Sequence, residues 1–487
     1  MPAKVPAIEA RPRAKGWGGA RGGASPLVPS GTLPRMRWGF VLDQDACIGC
    51  HACTVGCKQE NDVPLGAFRT WVKWIEHGQF PDTRRAAAVL RCNHCEDAPC
   101  VEICPTVALH KRSDGIVDLD KDRCIGCASC MQACPYDAIH IDPREGTAAK
   151  CHFCAHRLEV DLAPACVAVC PEQAIKVVDL DDPAIRAELR DRKALVRKPE
   201  RGTRPQTFYL GVDPAALDPL AVDGSRTLSH AEVPDPLPAS GTKEARAVYD
   251  VPKPRLWGGH IAAYMVTKAI AAGALLCAAG SAWSQRLDGR ISGALSLAFT
   301  AVTLLLLIGD LGQPRRFWFL LTKPNTRSWL VRGGWILTAH AFLSLPWLVA
   351  GNTALALACI PVALSTAVYT AFLFRQARGR ELWCEDRLLP AHLAAQALAA
   401  ASAIGWFMGE WSALWLAVHA AVVVAGALWP QATPGARAGH RLMLKDPVYG
   451  LGVAAAFGAI ALPPLVVLSF ACLDHAYVKA GQEVALS

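Results

Sequence analysis

Hydrophobic and polar positions divide the chain into two unlike parts. From Trp257 onward, apolar runs recur near 259–283, 291–309, 334–350, 354–374, 391–408, 411–429 and 451–472, with short polar segments between them. Each is close to the ~20 residues that carry a helix across a hydrocarbon core. The pattern predicts an all-α membrane bundle of seven helices over 256–475, with room for a further half-helix in 310–333 or 430–450. Trp257, Trp283, Trp318, Trp329, Trp383, Trp411 and Trp429 fall near run ends, as an interfacial aromatic belt would. Before 256 the runs are short. Ile116–Leu119 and Ala138–Ile141 read as brief strands. Residues 181–255 are charged and then Pro-rich, with Pro234-Asp-Pro-Leu-Pro238 and Pro252-Lys-Pro254, and read as a linker or a strap over the preceding domain. Residues 1–36, rich in Ala, Arg, Gly and Pro, read as a disordered basic tail, with no apolar signal core and no twin arginine near the start.

Composition agrees with a soluble domain joined to a membrane domain. Of 487 residues, 52% are hydrophobic and only 19% charged, and mean hydropathy is +0.22. The net charge of +8 raises nucleic acid as a partner, but its distribution argues against that. With seven spans, loops on the side of residues 37–180 carry Arg315, Arg316, Lys323, Arg327, Arg332, Arg375, Arg378, Arg380, Arg387, Arg437, Arg441 and Lys445. The other side carries Arg286, Arg290 and Lys479. Positive-inside reasoning then puts residues 37–180 in the cytoplasm and the bundle in the inner membrane.

Sixteen of the 20 cysteines fall in four runs. Cys47, Cys50, Cys53 and Cys57 form the first, and Cys92, Cys95, Cys100 and Cys104 the second. Cys124, Cys127, Cys130 and Cys134 form the third, and Cys151, Cys154, Cys166 and Cys170 the fourth. All end in C-x3-C, and three of the four continue with Pro. Three thiolates at C-x2-C-x2-C wrap one [4Fe–4S] cube, and the fourth is carried by the turn to a neighbouring one. Sixteen ligands can hold four such clusters. Zinc competes for any single C-x2-C pair but does not call for the repeated tail. Disulfides fit poorly with so many thiols in this spacing. His51, His94, His152 and His156 lie beside the runs, where neighbours can tune a cluster without ligating it.

Residues 37–180 resemble the four-cluster iron–sulfur subunits of molybdopterin oxidoreductases. The resemblance implies an α+β duplicated bacterial-ferredoxin-like domain. By analogy with multi-cluster ferredoxins, Cys170 joins Cys47, Cys50 and Cys53, and Cys57 joins Cys151, Cys154 and Cys166. Likewise Cys104 joins Cys124, Cys127 and Cys130, and Cys134 joins Cys92, Cys95 and Cys100. The segment Gly309-Asp310-Leu-Gly-Gln-Pro314-Arg315-Arg316-Phe-Trp, with Lys323-Pro-Asn325 and Arg332-Gly-Gly-Trp335 after it, resembles the NrfD-like membrane anchors of polysulfide reductases. Those anchors tend to have eight spans and imply exchange with menaquinone or ubiquinone and no haem. Histidines able to serve a membrane haem are nonetheless present at His260, His340, His392 and His419.

Ionisable groups inside a span cost about 2.5–3.5 kcal/mol at mid-helix and point to function. His260, Tyr264 and Lys268 repeat every four residues on one helix face. With Asp310 and Arg332 they form the candidate quinone site. The bland alternative is that Lys268 snorkels and Asp310 caps a turn. Together the halves predict an electron-transfer and quinone-reacting subunit that works with a separate molybdenum or tungsten catalytic subunit. The alternatives are a module of a respiratory supercomplex with cytochrome partners and a hydrogenase or formate dehydrogenase electron subunit.

Overall fold

The computed structural model describes residues 36–79, 81–225, 245–251, 253, 257–284, 287–349, 351–410, 412–484 and 486. The expected tail 1–36, Met36 excepted, lies outside the described residues, as do Pro234–Pro238, Pro252, Pro254, Arg286 and Trp411.

The cysteine-rich half is organised by small sheets that frame the runs. Strand β1 (Trp38–Asp43) leads into run one, and β8 (Ile175–Asp179) leaves run four. The two pair antiparallel, from Trp38 opposite Asp179 to Leu42 opposite Ile175, and so close the first run onto the last. Inside this frame, β4 (Leu109–Lys111) pairs with β5 (Val117–Leu119), and β6 (Ile139–Ile141) with β7 (Ala148–Lys150). Each small hairpin links the tail of one run to the head of the next, which is the duplication expected from the sequence. Hairpin β2 (Thr70–Gln79) and β3 (Asp82–Arg91) buries Trp71, Ile75 and Leu90 on one face and Val72 and Val89 on the other. Short helices α1 (Ala52–Glu60), α2 (Pro99–Ile103), α3 (Ser129–Ala133) and α5 (Ala165–Ala168) carry Cys53 and Cys57, Cys100, Cys130 and Cys166, α4 (Ala155–Leu158) follows Cys154, and the other run cysteines lie in the turns between.

The described part of the segment expected as a linker or strap is folded onto the preceding domain. Helix α6 (Pro183–Asp191) is capped by Asp182, whose carboxylate accepts from Ala184 N–H at 2.8 Å. Strand β9 (Thr207–Leu210) then joins β1 in parallel. After α7 (Pro214–Leu217), β10 (Val222–Ser225) and β11 (Ala245–Tyr249) extend the β2–β3 sheet in the order β10-β11-β2-β3. Composition marked the segment as polar, but four- and five-residue strands such as Thr207-Phe-Tyr-Leu210 are too short to stand out from it.

The second half is helical, as expected. Its main helices are α8 (Gly259–Gly280), α9 (Gly289–Gly309), α11 (Trp329–Ser344), α12 (Thr353–Gln376), α14 (Leu389–Phe407), α15 (Ala413–Leu428), α17 (Pro447–Gly458) and α18 (Leu465–Glu483). Short pieces α10 (Phe319–Thr322), α13 (Glu381–Glu385) and α16 (Pro434–Lys445) lie in the connections. Of these, α8, α9 and α12 are long and apolar enough to cross a membrane. Helix α8 is central and rich in alanine. A Cβ at Gly273 would come within 2.8 Å of Ala397 O and 2.7 Å of Ala400 Cβ, so glycine lets α8 and α14 touch.

Two expectations change. The run 451–472, expected as one span, is α17 and α18 with a turn at Pro463-Pro464. Hydropathy averages over this turn because Ala459-Ile-Ala-Leu462 is itself apolar. The chain therefore returns, and Lys479 lies on the face toward the cysteine-rich half, bonded to Asp446 at 2.8 Å. In addition, Trp257 and Trp383 are not belt residues. Both are buried, and they stack on Phe374 at the junction of the halves, while Trp283, Trp318 and Trp429 are exposed.

That junction is tight and polar. Gly312 and Gln313 N–H groups donate to Gly126 O and Ile125 O at 3.3 and 3.1 Å. Asn325 donates to Pro105 O and Cys104 O, Ser328 to Ile103 O, and Gly379 N–H to Gln132 O. A Cβ at Gly312 would sit 2.0 Å from Gly146 O, and Gly126, at φ +71°, is equally crowded. A Gly312→Val variant is expected to lose on the order of 1–3 kcal/mol through this overpacking. It should read as a lower melting temperature of the detergent-solubilised protein; an unchanged one would show that the contact is slack.

Candidate electron-transfer and quinone site

The left-handed turns of the runs aim the thiols inward. His51, Ala128, Phe153 and Cys154 have positive φ, as do Gly49 and Gly126. Cys104, Cys124, Cys127 and Cys130 line one cavity, and Cys57, Cys151, Cys154 and Cys166 another. Cys47 sits beside Cys50 and Cys170, and Cys92, Cys95, Cys100 and Cys134 act on one another. The groupings are linked in a row. Cys53 lies within reach of Cys166, Cys151 of Cys92, and Cys130 of Cys100. Exposure is confined to the two ends of this row: Cys50 is exposed and Cys47 and Cys170 intermediate at one end, Cys127 is intermediate at the other, and the remaining members are buried.

Burial, reinforced by neighbouring thiols, pushes Cys53 up to about 11 and Cys57 and Cys95 up to about 12. Thiols so placed ionise together only against a compensating cation, and iron in a cluster supplies one. The donor set therefore fits [4Fe–4S] clusters. The domain adds fixed cations of its own. Arg91, fully buried, lies 4.1 Å from the Phe40 ring among Cys53, Cys151 and Cys166. Lys150, also buried, donates to Val117 O and Cys151 O. His94 is a core ring that accepts from Val117 N–H at 3.2 Å, and burial holds it well below its usual range. His152 accepts from Cys154 N–H, His156 pairs with Glu60, and His51 meets Tyr249 edge-on.

Cys127 faces two ways. It also lines an apolar cavity of about 250 Å³ between α8, α9, α11 and α12. Tyr264, Asp310, Trp257 and Tyr369 give that cavity its polar or amphipathic points. Phe317, Leu321 and Trp335 line it and are exposed on the bundle surface. Of the five residues expected from sequence, Tyr264 and Asp310 border the cavity. Lys268 lies one turn deeper, donating to Ala367 O at 2.9 Å and to Thr370 Oγ1 at 2.5 Å, and Tyr264 O–H donates to the same Thr370 oxygen. His260 is exposed at the helix start, close enough to Asp310 to act on its charge. Arg332 stays outside, donating to Thr326 O at 2.8 Å and covering Trp329.

Sequence reasoning missed Trp257, Tyr369 and Thr338. Their signal was indirect: a Cβ at Gly333 would strike the Tyr369 ring at 2.3 Å, so the Gly333-Gly334 pair marks a close approach. The other membrane histidines are hydrogen-bonded. His340 meets Ser296 and Thr366, His392 meets Gln396, and His419 meets Ser469.

Known proteins share both halves. The 4Fe-4S dicluster domain matches residues 87–180, and the family "Polysulphide reductase, NrfD" matches residues 248–409. A tetrathionate reductase subunit of Salmonella typhimurium is 47% identical over 194 residues, covering 77% of its length and 38% of this chain. The present chain is a member of the iron–sulfur subunits of membrane-bound reductases, fused to an NrfD membrane domain. A polysulfide reductase component of Wolinella succinogenes is 39% identical over 180 residues, 94% of its length and 36% of this chain. The arsenate respiratory reductase iron-sulfur subunit of Shewanella sp. is 35% identical over 230 residues, 96% of its length and 36% of this chain. The protein is thus a membrane-embedded component of an oxidoreductase complex that carries multiple [4Fe–4S] clusters.

Replacing the Arg91 guanidinium by a neutral side chain removes a buried positive charge that favours the more negative, reduced state of a neighbouring cluster. Redox-titrated electron paramagnetic resonance of Arg91→Met should show a cluster potential lowered by tens of millivolts. Unchanged potentials would mean that the guanidinium only packs.

Proposed function

We propose that this chain passes electrons between a membrane quinone and a separate molybdopterin catalytic subunit, carrying molybdenum or tungsten, through four [4Fe–4S] clusters. The observation that carries the reading is the double role of Cys127, which borders both its group of four thiols and the 250 Å³ apolar cavity. The clusters supply one-electron steps when bound. The sixteen cysteines hold them in the pairing expected from sequence, with Cys47, Cys50, Cys53 and Cys170 at the outer end and Cys104, Cys124, Cys127 and Cys130 at the membrane end. Menaquinone or ubiquinone reaches the cavity sideways from lipid, past Phe317, Leu321 and Trp335. Tyr264 and Asp310 meet its oxygens, and Lys268 acts through Thr370. The partner docks over Cys50, where Ile48, Val55 and Val169 are exposed. Names among the relatives support tetrathionate, polysulfide or arsenate as the class of terminal substrate.

The cluster domain faces the cytoplasm and the bundle sits in the inner membrane. Arg316, Arg378 and Arg380 on the cluster-domain face bond to that domain, so their charge serves docking. Arg327, Arg332, Arg375, Arg387, Arg437, Arg441, Lys445 and Lys479 on the same face remain as the positive-inside signal.

A variant that fills the cavity tests the quinone site. A Cβ at Gly334 would meet nothing within 4 Å, so Gly334→Phe adds a ring without straining the backbone. The apparent KM for quinol should rise on the order of tenfold, equivalent to roughly 1.4 kcal/mol of lost binding, while dithionite still reduces the clusters. A normal KM would move the quinone elsewhere.

Metal analysis of the complex, extracted in mild detergent from its native membrane, tests the partner. Molybdenum or tungsten with a large co-purifying subunit is expected. Haem c without either metal would favour a respiratory supercomplex with cytochrome partners.

A further inference from the structure

Behind the apolar cavity the bundle holds a second, largely buried set of ionisable groups. Asp474 on α18 accepts from Gln396 Nε2 at 3.0 Å, and the same nitrogen lies 3.2 Å from His392 Nε2. The His392 and His419 rings are 5.7 Å apart. Asp474 is the acidic group near enough to Lys268 to act on its charge. Asp474 and His392 also line the inner end of a small cavity of about 60 Å³, whose other walls include Asp386, Gln431 and His440. Those three lie beside α13 and α16, on the face that meets the cluster domain, where Arg201 pairs with Glu381 at 3.1 Å. Tyr264, Thr370 and Lys268 are joined by hydrogen bonds, Asp474 acts on Lys268 through its charge, and Gln396 ties Asp474 to His392 on the way to that face.

A packing role alone does not account for this set. A lysine and an aspartate inside a bundle are costly to bury, and groups retained only for structure are expected to saturate their hydrogen bonds. Here Asp474 Oδ2, Gln396 Oε1 and His419 Nδ1 have no hydrogen-bond partner among the described residues. The quinone cavity opens past Phe317, Leu321 and Trp335, apolar side chains exposed on the bundle surface, and Asp310 at its end is half-buried beside the exposed His260.

We propose that Lys268, Asp474 and His392, the last two held together by the Gln396 amide, form the proton route between the quinone cavity and the cluster-domain face. The proposal rests on the quinone reading above. Quinol oxidation breaks two O–H bonds. Its two electrons leave singly to the iron–sulfur clusters, and its two protons leave through Tyr264 and Thr370 to Lys268 and Asp474, then by His392 to the small cavity. Quinone reduction runs each transfer backwards. Protons are thus exchanged on the side that holds the cluster domain.

The test uses the whole complex in proteoliposomes with its cluster domain outward and an external pH dye. A soluble naphthoquinol is mixed with the oxidised complex, and cluster bleaching and proton release are followed together. In wild type, external acidification should accompany bleaching. Asp474→Asn and His392→Gln should each slow bleaching by quinol on the order of a hundredfold, the usual weight of a lost proton-transfer group. Dithionite should reduce the clusters of both variants to the wild-type extent, and Asp474→Glu should recover most of the quinol rate. Wild-type rates and proton release in both variants would overturn the proposal, as would a slow Asp310→Asn beside a normal Asp474→Asn, which puts the exit at the cavity mouth. Protons released into the vesicle lumen would also overturn it. A wild-type complex that quinol fails to reduce, although dithionite does, would instead defeat the quinone reading and the route with it.

Discussion

A buried thiol stays protonated unless positive charge shares its surroundings, and that constraint governs the cysteine-rich half. Most of its sixteen run cysteines are buried, in a domain whose sheets are two to four strands wide. Such sheets cannot nucleate a fold of this length by apolar burial alone, so binding of iron is coupled to folding. The duplicated hairpins make sense on those terms. Each holds the tail of one run and the head of the next at a fixed separation, and β1 with β8 returns the last run to the first. Arg91 and Lys150 add positive charge beside the thiols without being ligands themselves, and so bear on redox potential rather than on ligation.

The second constraint is distance. Electrons pass efficiently only between close centres, so a membrane domain that exchanges electrons with the clusters needs its cavity against a ligand of the nearest one. The junction meets that need with glycine. Gly126, Gly146 and Gly312 bring three backbones into contact, and the loops after α9, before α11 and after α12 bond directly to runs two and three. Carrying both halves on one chain holds this geometry without a subunit interface. The Trp257, Phe374 and Trp383 stack fills the apolar remainder of the joint.

Much of this was legible in the sequence because ligation chemistry fixes spacing. C-x2-C with a C-x3-C tail is local, and it located every run, while brief apolar stretches located both strands flanking run three. The helical class of the second half was legible through hydropathy. Two features were not. The turn at Pro463-Pro464 hid inside an apolar average, which cost one helix and put Lys479 on the wrong face. The 181–255 segment hid short strands whose partners, β1 and β2, are more than a hundred residues away. The cavity was legible only in part. Tyr264 and Asp310 lie on a helix face and at a helix end that sequence can register, whereas Trp257, Thr338 and Tyr369 join them only through the crossing of four helices. Arg332 was misread because a charge at the start of a helix looks alike whether it turns inward or lies over a neighbouring tryptophan.

The buried polar residues of the bundle divide by how fully their hydrogen bonds are met. Around His340, Ser296 and Thr366 bond both ring nitrogens, and Ser344 bonds Ser296 in turn. That cluster is closed, as expected of groups that fix helix register. Around Asp474, by contrast, oxygens and a ring nitrogen remain unmatched among the described residues, and the neighbours are Lys268 and two histidines. Closed clusters resist gaining or losing a proton because either change breaks a bond already made. Open ones can accept a proton at an unmatched oxygen or nitrogen with less rearrangement. The bundle thus holds two polar clusters of different character, and the open one reaches Lys268, one turn beyond the cavity that Cys127 borders.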